Sequence, residues 1–114
     1  MKRPARADAE VLERLFATIK SRRGADAAKS YTAELFAGGA ERIAKKLGEE
    51  GIEAVLATQA GDRKALVHES ADVLYHLLVA WAHAGIAPSA VWAELARREG
   101  VPGIAEKKSR RTRR

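Results

Sequence analysis

Apolar residues keep helical register through most of the chain. Val11, Leu12, Leu15, Phe16 and Ile19 share one helix face, so residues 8–20 are predicted to form an amphipathic helix with Asp8 as its N-cap. Residues 21–26 (SRRGAD) read as a loop. Ser30-Tyr31-Thr32 then leads into a short helix at Ala33-Glu34-Leu35-Phe36, and Gly38-Gly39 breaks it. A long helix is expected from about Ala40 to Ala60, stopped by Gly61-Asp62. A second runs from about Arg63 to Ala84 and ends at Gly85. Pro88-Ser89 opens a last helix over 88–99, closed by Gly100. No stretch alternates with period two over a strand's length, and no repeat recurs at solenoid spacing. The fold class is therefore all-α: a bundle of four main helices, forming one domain over 7–101.

The polar positions on the two long helices carry the chemistry. At about 100° per residue, Ile43, Leu47, Ala54 and Ala57 fall in one apolar arc roughly 80° wide. Glu50 falls inside that arc, Glu53 about 60° to one side, and Glu49 about 40° further on. Burying an unpaired carboxylate is costly, so Glu50 needs a cation, a proton or a wet cleft. The second long helix is apolar nearly all round, with Val67, Ala71, Leu74, Leu78 and Trp81 as its expected core face. Its polar residues gather in one stripe: His68, Glu69, Asp72, His76 and His83. Each helix thus presents a pair of acids three residues apart, Glu50/Glu53 and Glu69/Asp72. Packed antiparallel, the two helices would bring four or five carboxylates together, and a divalent metal would relieve their repulsion. Hard oxygen donors without cysteine favour Mg²⁺ or Mn²⁺. Acids at this spacing also occur on ordinary solvated helices, and Glu50 is what separates the two readings.

The histidines add less. His76 follows Asp72 by four, so an Asp–His hydrogen bond along the helix is available, and a polar-stripe or core histidine with one partner is the reading preferred. Neither long helix contains the Glu-x-x-His of a di-iron bundle. A zinc site from His68, His76 and His83 is disfavoured, because the three are spaced about two turns apart.

Charge changes the picture only through its location. The 114 residues hold 21 Lys+Arg and 15 Asp+Glu, a net charge of +6. Residues 106–114 contribute +5 and residues 1–6 contribute +3, which leaves −2 for residues 7–105. The ends, 1–6 and 102–114, read as basic disordered tails around a slightly acidic domain, so nucleic acid is not the expected partner. There is no cysteine, hence no disulfide framework. No apolar run approaches the length of a membrane span, and the N-terminus lacks the apolar stretch of a secretory signal. A cytoplasmic protein with no membrane partner is expected.

Three groups of residues carry a family resemblance. Glu49-Glu50-Gly51-Ile52-Glu53, fifteen residues, then Glu69-Ser70-Ala71-Asp72 is similar to the E-E-x-x-E…E-x-x-D signature of the all-α, MazG-type nucleoside-triphosphate pyrophosphohydrolases. Ser30-Tyr31-Thr32-Ala33 and Asp72-Val73-Leu74-Tyr75-His76-Leu77-Leu78 narrow this to the phosphoribosyl-ATP pyrophosphatases. The resemblance implies hydrolysis of phosphoribosyl-ATP to phosphoribosyl-AMP and pyrophosphate, the second step of histidine biosynthesis. It implies Mg²⁺ held by Glu50, Glu53, Glu69 and Asp72, with Glu49 as a further ligand or as the base for the attacking water. It also implies a homodimer with sites near the subunit interface. Phosphates need cations and donors as well, and Lys45, Lys46, Arg22, Arg23, Ser30 and Thr32 are the candidates for substrate contact. Gly51 departs from the pattern, which more often has a small helix former there, but it removes no ligand. Two other readings share these features: a pyrophosphohydrolase for dNTPs or dUTP, and a non-enzymatic helical protein that binds nucleic acid through its tails.

Overall fold

The computed structural model describes residues 6–101 together with Gly103, Lys107, Lys108 and Arg110. Apart from Arg6 and those last four, the tails at 1–6 and 102–114 lie outside the described residues. Over residues 6–101 four helices follow in order: α1 (Val11–Ser21), α2 (Tyr31–Ala60), α3 (Arg63–Ala84) and α4 (Pro88–Glu99). No strand occurs among the described residues. The all-α architecture is as the apolar pattern predicts. None of these helices alone is long and apolar enough to cross a membrane.

The helix ends follow their punctuation. Gly61 and Gly85 close α2 and α3 in left-handed conformation. The N–H of Asp62 reaches back to the carbonyl of Ala57, and that of Ile86 to Trp81, so the last turns are satisfied. Asp62 also starts α3, since its Oδ1 accepts from the Ala65 N–H at 3.0 Å. Two residues therefore join α2 and α3, and so short a turn forces an antiparallel hairpin. At α1 the expectation shifts: Asp8 Oδ1 accepts from the Glu10 N–H, and the helix proper begins at Val11.

Inside α2 the chain departs from helix at one residue. Gly39 has φ 71° and ψ −168°, a region that only glycine enters cheaply. The break turns residues 31–38 back along the rest of α2. Glu34 Oε1 meets Arg42 Nη2 at 2.7 Å, although eight residues of straight helix would separate them by about 12 Å. The returning arm delivers Leu35 to the core and the Tyr31 hydroxyl to His76 on α3.

The core occupies one end of the hairpin. Ile19, Leu35, Ile43, Leu78, Val79 and Ala82 are buried together, with Leu12, Leu15, Phe16, Phe36, Tyr75 and Trp81 packed around them. α4 is held by its Trp92, whose ring meets Trp81 edge-on at 5.8 Å and whose Nε1 donates to Glu13 Oε1 at 2.7 Å. The other end of the hairpin is bare. Val67 is 73% exposed and Leu74 42%, so the core face expected on α3 is corrected: its first half points outward. Neither α1 nor the returning arm reaches that half, and α3 is apolar on several sides. Ile52, Val55 and Leu56 of α2 are exposed as well.

Two glycine substitutions should act in opposite directions. Gly39→Ala should destabilise the fold by about 1–3 kcal/mol, because alanine cannot share that backbone conformation without strain. Gly51→Ala should stabilise it by about 0.5–1 kcal/mol, since a methyl at this helix-interior site meets nothing within 4 Å. Urea unfolding curves would read both.

Candidate active site

The hairpin places the two acid pairs across from one another. Glu50, Glu69 and Asp72 are half-buried, and Glu53 is exposed beside them. Burial pushes the Glu69 carboxyl above its ordinary range. The negative charges of Asp72, Glu50 and Glu53 push it the same way, against an opposing pull from His68. Carboxylates from both helices thus share one electrostatic pole.

His68 belongs to this pole although it was not among the candidates. Its Nε2 lies 3.3 Å from Asp72 Oδ2. One ligand atom each from His68, Glu69 and Asp72 falls within 4.8 Å of the others. The signal was available in the i, i+4 spacing of His68 and Asp72. His76 is a buried core histidine, as preferred from the sequence, and Asp72 serves it through the backbone. Its Nδ1 meets the backbone carbonyl of Asp72 at 2.7 Å, not the carboxylate. A carbonyl only accepts, so Nδ1 carries the proton, and Nε2 accepts from the Tyr31 hydroxyl at 3.3 Å.

Tyr31 forms the wall next to the acids. Its ring stacks on Tyr75 with centroids 6.3 Å apart, and the Tyr75 hydroxyl is bonded to Thr32 Oγ1. Tyr31 nevertheless stays 44% exposed. Burial raises its hydroxyl pKa above the ordinary value, Lys46 and Arg42 counteract, and Tyr75 and Glu50 add to the rise. Tyr31 thus lies within electrostatic range of both the cations and the carboxylate of α2.

The other candidates divide. Lys46 Nζ pairs with Glu49 Oε2 at 3.3 Å, which puts Glu49 in an ion pair on the exposed rim. Lys45 lies on the surface beside Gly38, Glu41 and Arg42, around a cavity of about 220 Å³. Ser30 caps α2, with its hydroxyl accepting from the Ala33 N–H at 3.1 Å. Thr32 is engaged with Tyr75. Arg22 is exposed, and its backbone N–H caps α1. Arg23 donates from Nη1 to the Ala82 carbonyl at 3.0 Å and lies over the Phe36 ring. Ala82 is ten residues beyond Asp72, about 15 Å along α3. Within one chain, then, Arg23 satisfies a helix C-terminus and does not join the carboxylates. His83 lines the small cavity beside Arg23 and is likewise remote from His68.

The strained charge of Glu69 has a measurable sign. Its folded pKa lies above the unfolded one, so in the metal-free protein its ionisation opposes folding, and stability falls as pH rises through the raised value. Glu69→Gln should therefore melt higher than the parent chain in EDTA at neutral pH. The gap should close as pH drops below the ordinary carboxylate range, in parallel thermal melts.

Similar proteins agree with one another. The sequence model of a family described as "Phosphoribosyl-ATP pyrophosphohydrolase" matches residues 12–99. A phosphoribosyl-ATP pyrophosphatase of Azospirillum brasilense is 55% identical over 104 residues, 91% of this chain and 94% of the relative. One of Paramagnetospirillum magneticum is 57% identical over 103 residues, 90% of this chain and 94% of the relative. One of Gluconobacter oxydans is 54% identical over 100 residues, 88% of this chain and 75% of the relative.

Proposed function

The chain belongs to the phosphoribosyl-ATP pyrophosphohydrolase family, and from that footing we propose that it hydrolyses phosphoribosyl-ATP to phosphoribosyl-AMP and pyrophosphate in histidine biosynthesis, in the cytoplasm. The observation that carries this is the shared acidic pole, in which Asp72, Glu50 and Glu53 act on Glu69 from two helices. A polyanionic substrate enters such a pole only with cations. The donor set is hard oxygen, which fits Mg²⁺, with Mn²⁺ as a substitute. Glu50, Glu53, Glu69 and Asp72 would hold the metal, and His68 would steady the Asp72 carboxylate from outside.

Bound Mg²⁺ would supply charge neutralisation on the phosphate oxygens and a more acidic water. The chain's own residues do the rest. Glu50 sits inside the apolar arc, where partial burial strengthens its hold on a cation. Glu49 offers Oε1 to take a proton from the attacking water while Lys46 holds Oε2. The water adds to phosphorus, and the bond between the α and β phosphates breaks with pyrophosphate as the leaving group. The Lys46 ammonium, one turn from the acids, is placed to receive phosphate oxygens.

A second copy of the chain is the partner we propose. Val67 and Leu74 border an open apolar cavity of about 570 Å³, lined also by Leu66 and Ala71. Ile52, Val55 and Leu56 expose more apolar surface at the same end of the hairpin. Water-exposed area of this kind is the mark of an interface.

Two experiments check the reading. Pyrophosphate release from a panel of phosphoribosyl-ATP, dNTPs and dUTP should favour phosphoribosyl-ATP, stop in EDTA and return with Mg²⁺. Preference for a dNTP would reassign the substrate. Glu50→Gln should lower kcat by about a hundredfold or more. For assembly, light scattering should find twice the monomer mass, and Val67→Asp should halve it.

A further inference from the structure

Phosphoribosyl-ATP has a triphosphate at one end and a phosphorylated ribose at the other, and the acidic pole accounts only for the first. α2 continues past it. At about 100° per residue, Arg42, Lys46, Glu49 and Glu53 fall within one arc of about 60°, beside Glu50. Arg42 lies two turns before Glu50, about 12 Å along the axis. The half-exposed Tyr31 lies within electrostatic range of Lys46, Arg42 and Glu50, and its hydroxyl is bonded to His76 on α3. The order along α2 is Arg42, then Lys46, then the acids from Glu49 onward.

Arg42 is held in place before any ligand arrives. Its stem lies against Gly38, where an added Cβ would come within 2.7 Å of the Arg42 Cβ. One donor, Nη2, is committed to Glu34 Oε1 at 2.7 Å. Nε is buried and has no hydrogen-bond partner among the described residues. A guanidinium carries five donors in a planar fork matched to phosphate, and most of this fork is uncommitted. Arg42 and Lys45 line a cavity of about 220 Å³, with Glu41 and Gly38 completing its wall. Arg42 and Lys45 present their donors to this cavity, with Glu41 in its wall and Glu34 engaged at one edge of the guanidinium.

We propose that Arg42, assisted by Lys45, binds the remote phosphate of the substrate, and so distinguishes a nucleotide phosphorylated at both ends from an ordinary nucleoside triphosphate. This rests on the phosphoribosyl-ATP reading above. The binding strip then reads its substrate end to end, with the remote phosphate two turns of α2 away from the anhydride that is cut.

The test compares two ligands on the full chain: phosphoribosyl-ATP as substrate, and ATP, which lacks the remote phosphate, as competitor. Arg42→Gln should raise KM for phosphoribosyl-ATP about tenfold or more, with kcat within about threefold and the inhibition constant of ATP within about twofold. Arg42→Lys should recover part of the loss. Glu34→Gln removes the ion pair but keeps the guanidinium, and should leave KM within about twofold. An unchanged KM in Arg42→Gln, or an equal weakening toward ATP, would overturn the assignment. Should Arg42→Gln not fold, the Arg42 Nε–H resonance of the unaltered chain decides: it should shift on titration with ribose 5-phosphate, and constancy to saturation overturns it. If the unaltered chain does not turn over phosphoribosyl-ATP, the functional reading fails, while that titration still judges Arg42 by itself.

Discussion

Like charges repel, and α2 and α3 hold Glu50, Glu53, Glu69 and Asp72 against that repulsion. The restraint comes from the far end of the hairpin. Leu35, Ile43, Leu78, Val79 and Ala82 bury apolar area there, and Gly61-Asp62 fixes the antiparallel turn at the other end. The acids lie between, in the stretch where the core gives out. The molecule therefore spends stability at its site, and a cation that neutralises the acids would return it. The surrounding contacts serve the same arrangement. His76 ties the Asp72 backbone to Tyr31, and Thr32 ties Tyr75, so the wall beside the acids keeps a fixed position relative to them.

Much of this was written plainly in the residue pattern. Glycine, proline and aspartate mark helix ends by local chemistry, so α2, α3 and α4 stop where Gly61, Gly85 and Gly100 stand. The acid pairs are legible because three-residue spacing fixes a shared face before any tertiary contact exists. What escaped were facts about direction. Gly38-Gly39 reads as a break, but a break does not say which way the chain leaves it. The return of residues 31–38, and with it Tyr31 at His76 and Arg42 beside Glu34, depends on the torsions of Gly39.

Long-range partners escaped for the same reason. Arg23 looks in sequence like any loop cation near a phosphate enzyme's site, yet the Ala82 carbonyl takes it. The core face of α3 is not legible in sequence because the helix is apolar on several sides and periodicity cannot say which side has a neighbour. Val67 and Leu74 were assigned inward by their spacing with Leu78, but the neighbour is present only at the Leu78 end. His68 was passed over as one of three histidines too widely spaced for zinc, while its tie to Asp72 needed only one turn.

The break at Gly39 also orders events in time. The two acid pairs belong to helices joined by a two-residue turn, and contacts so near in sequence form early when a chain folds. The wall beside them closes across a longer loop: 45 residues separate Tyr31 from His76. The contacts between α2 and α3 are thus more local than those that bring the aromatic wall to them. An opening of the arm alone would free that wall while the turn at Gly61-Asp62 still joined the two acid-bearing helices.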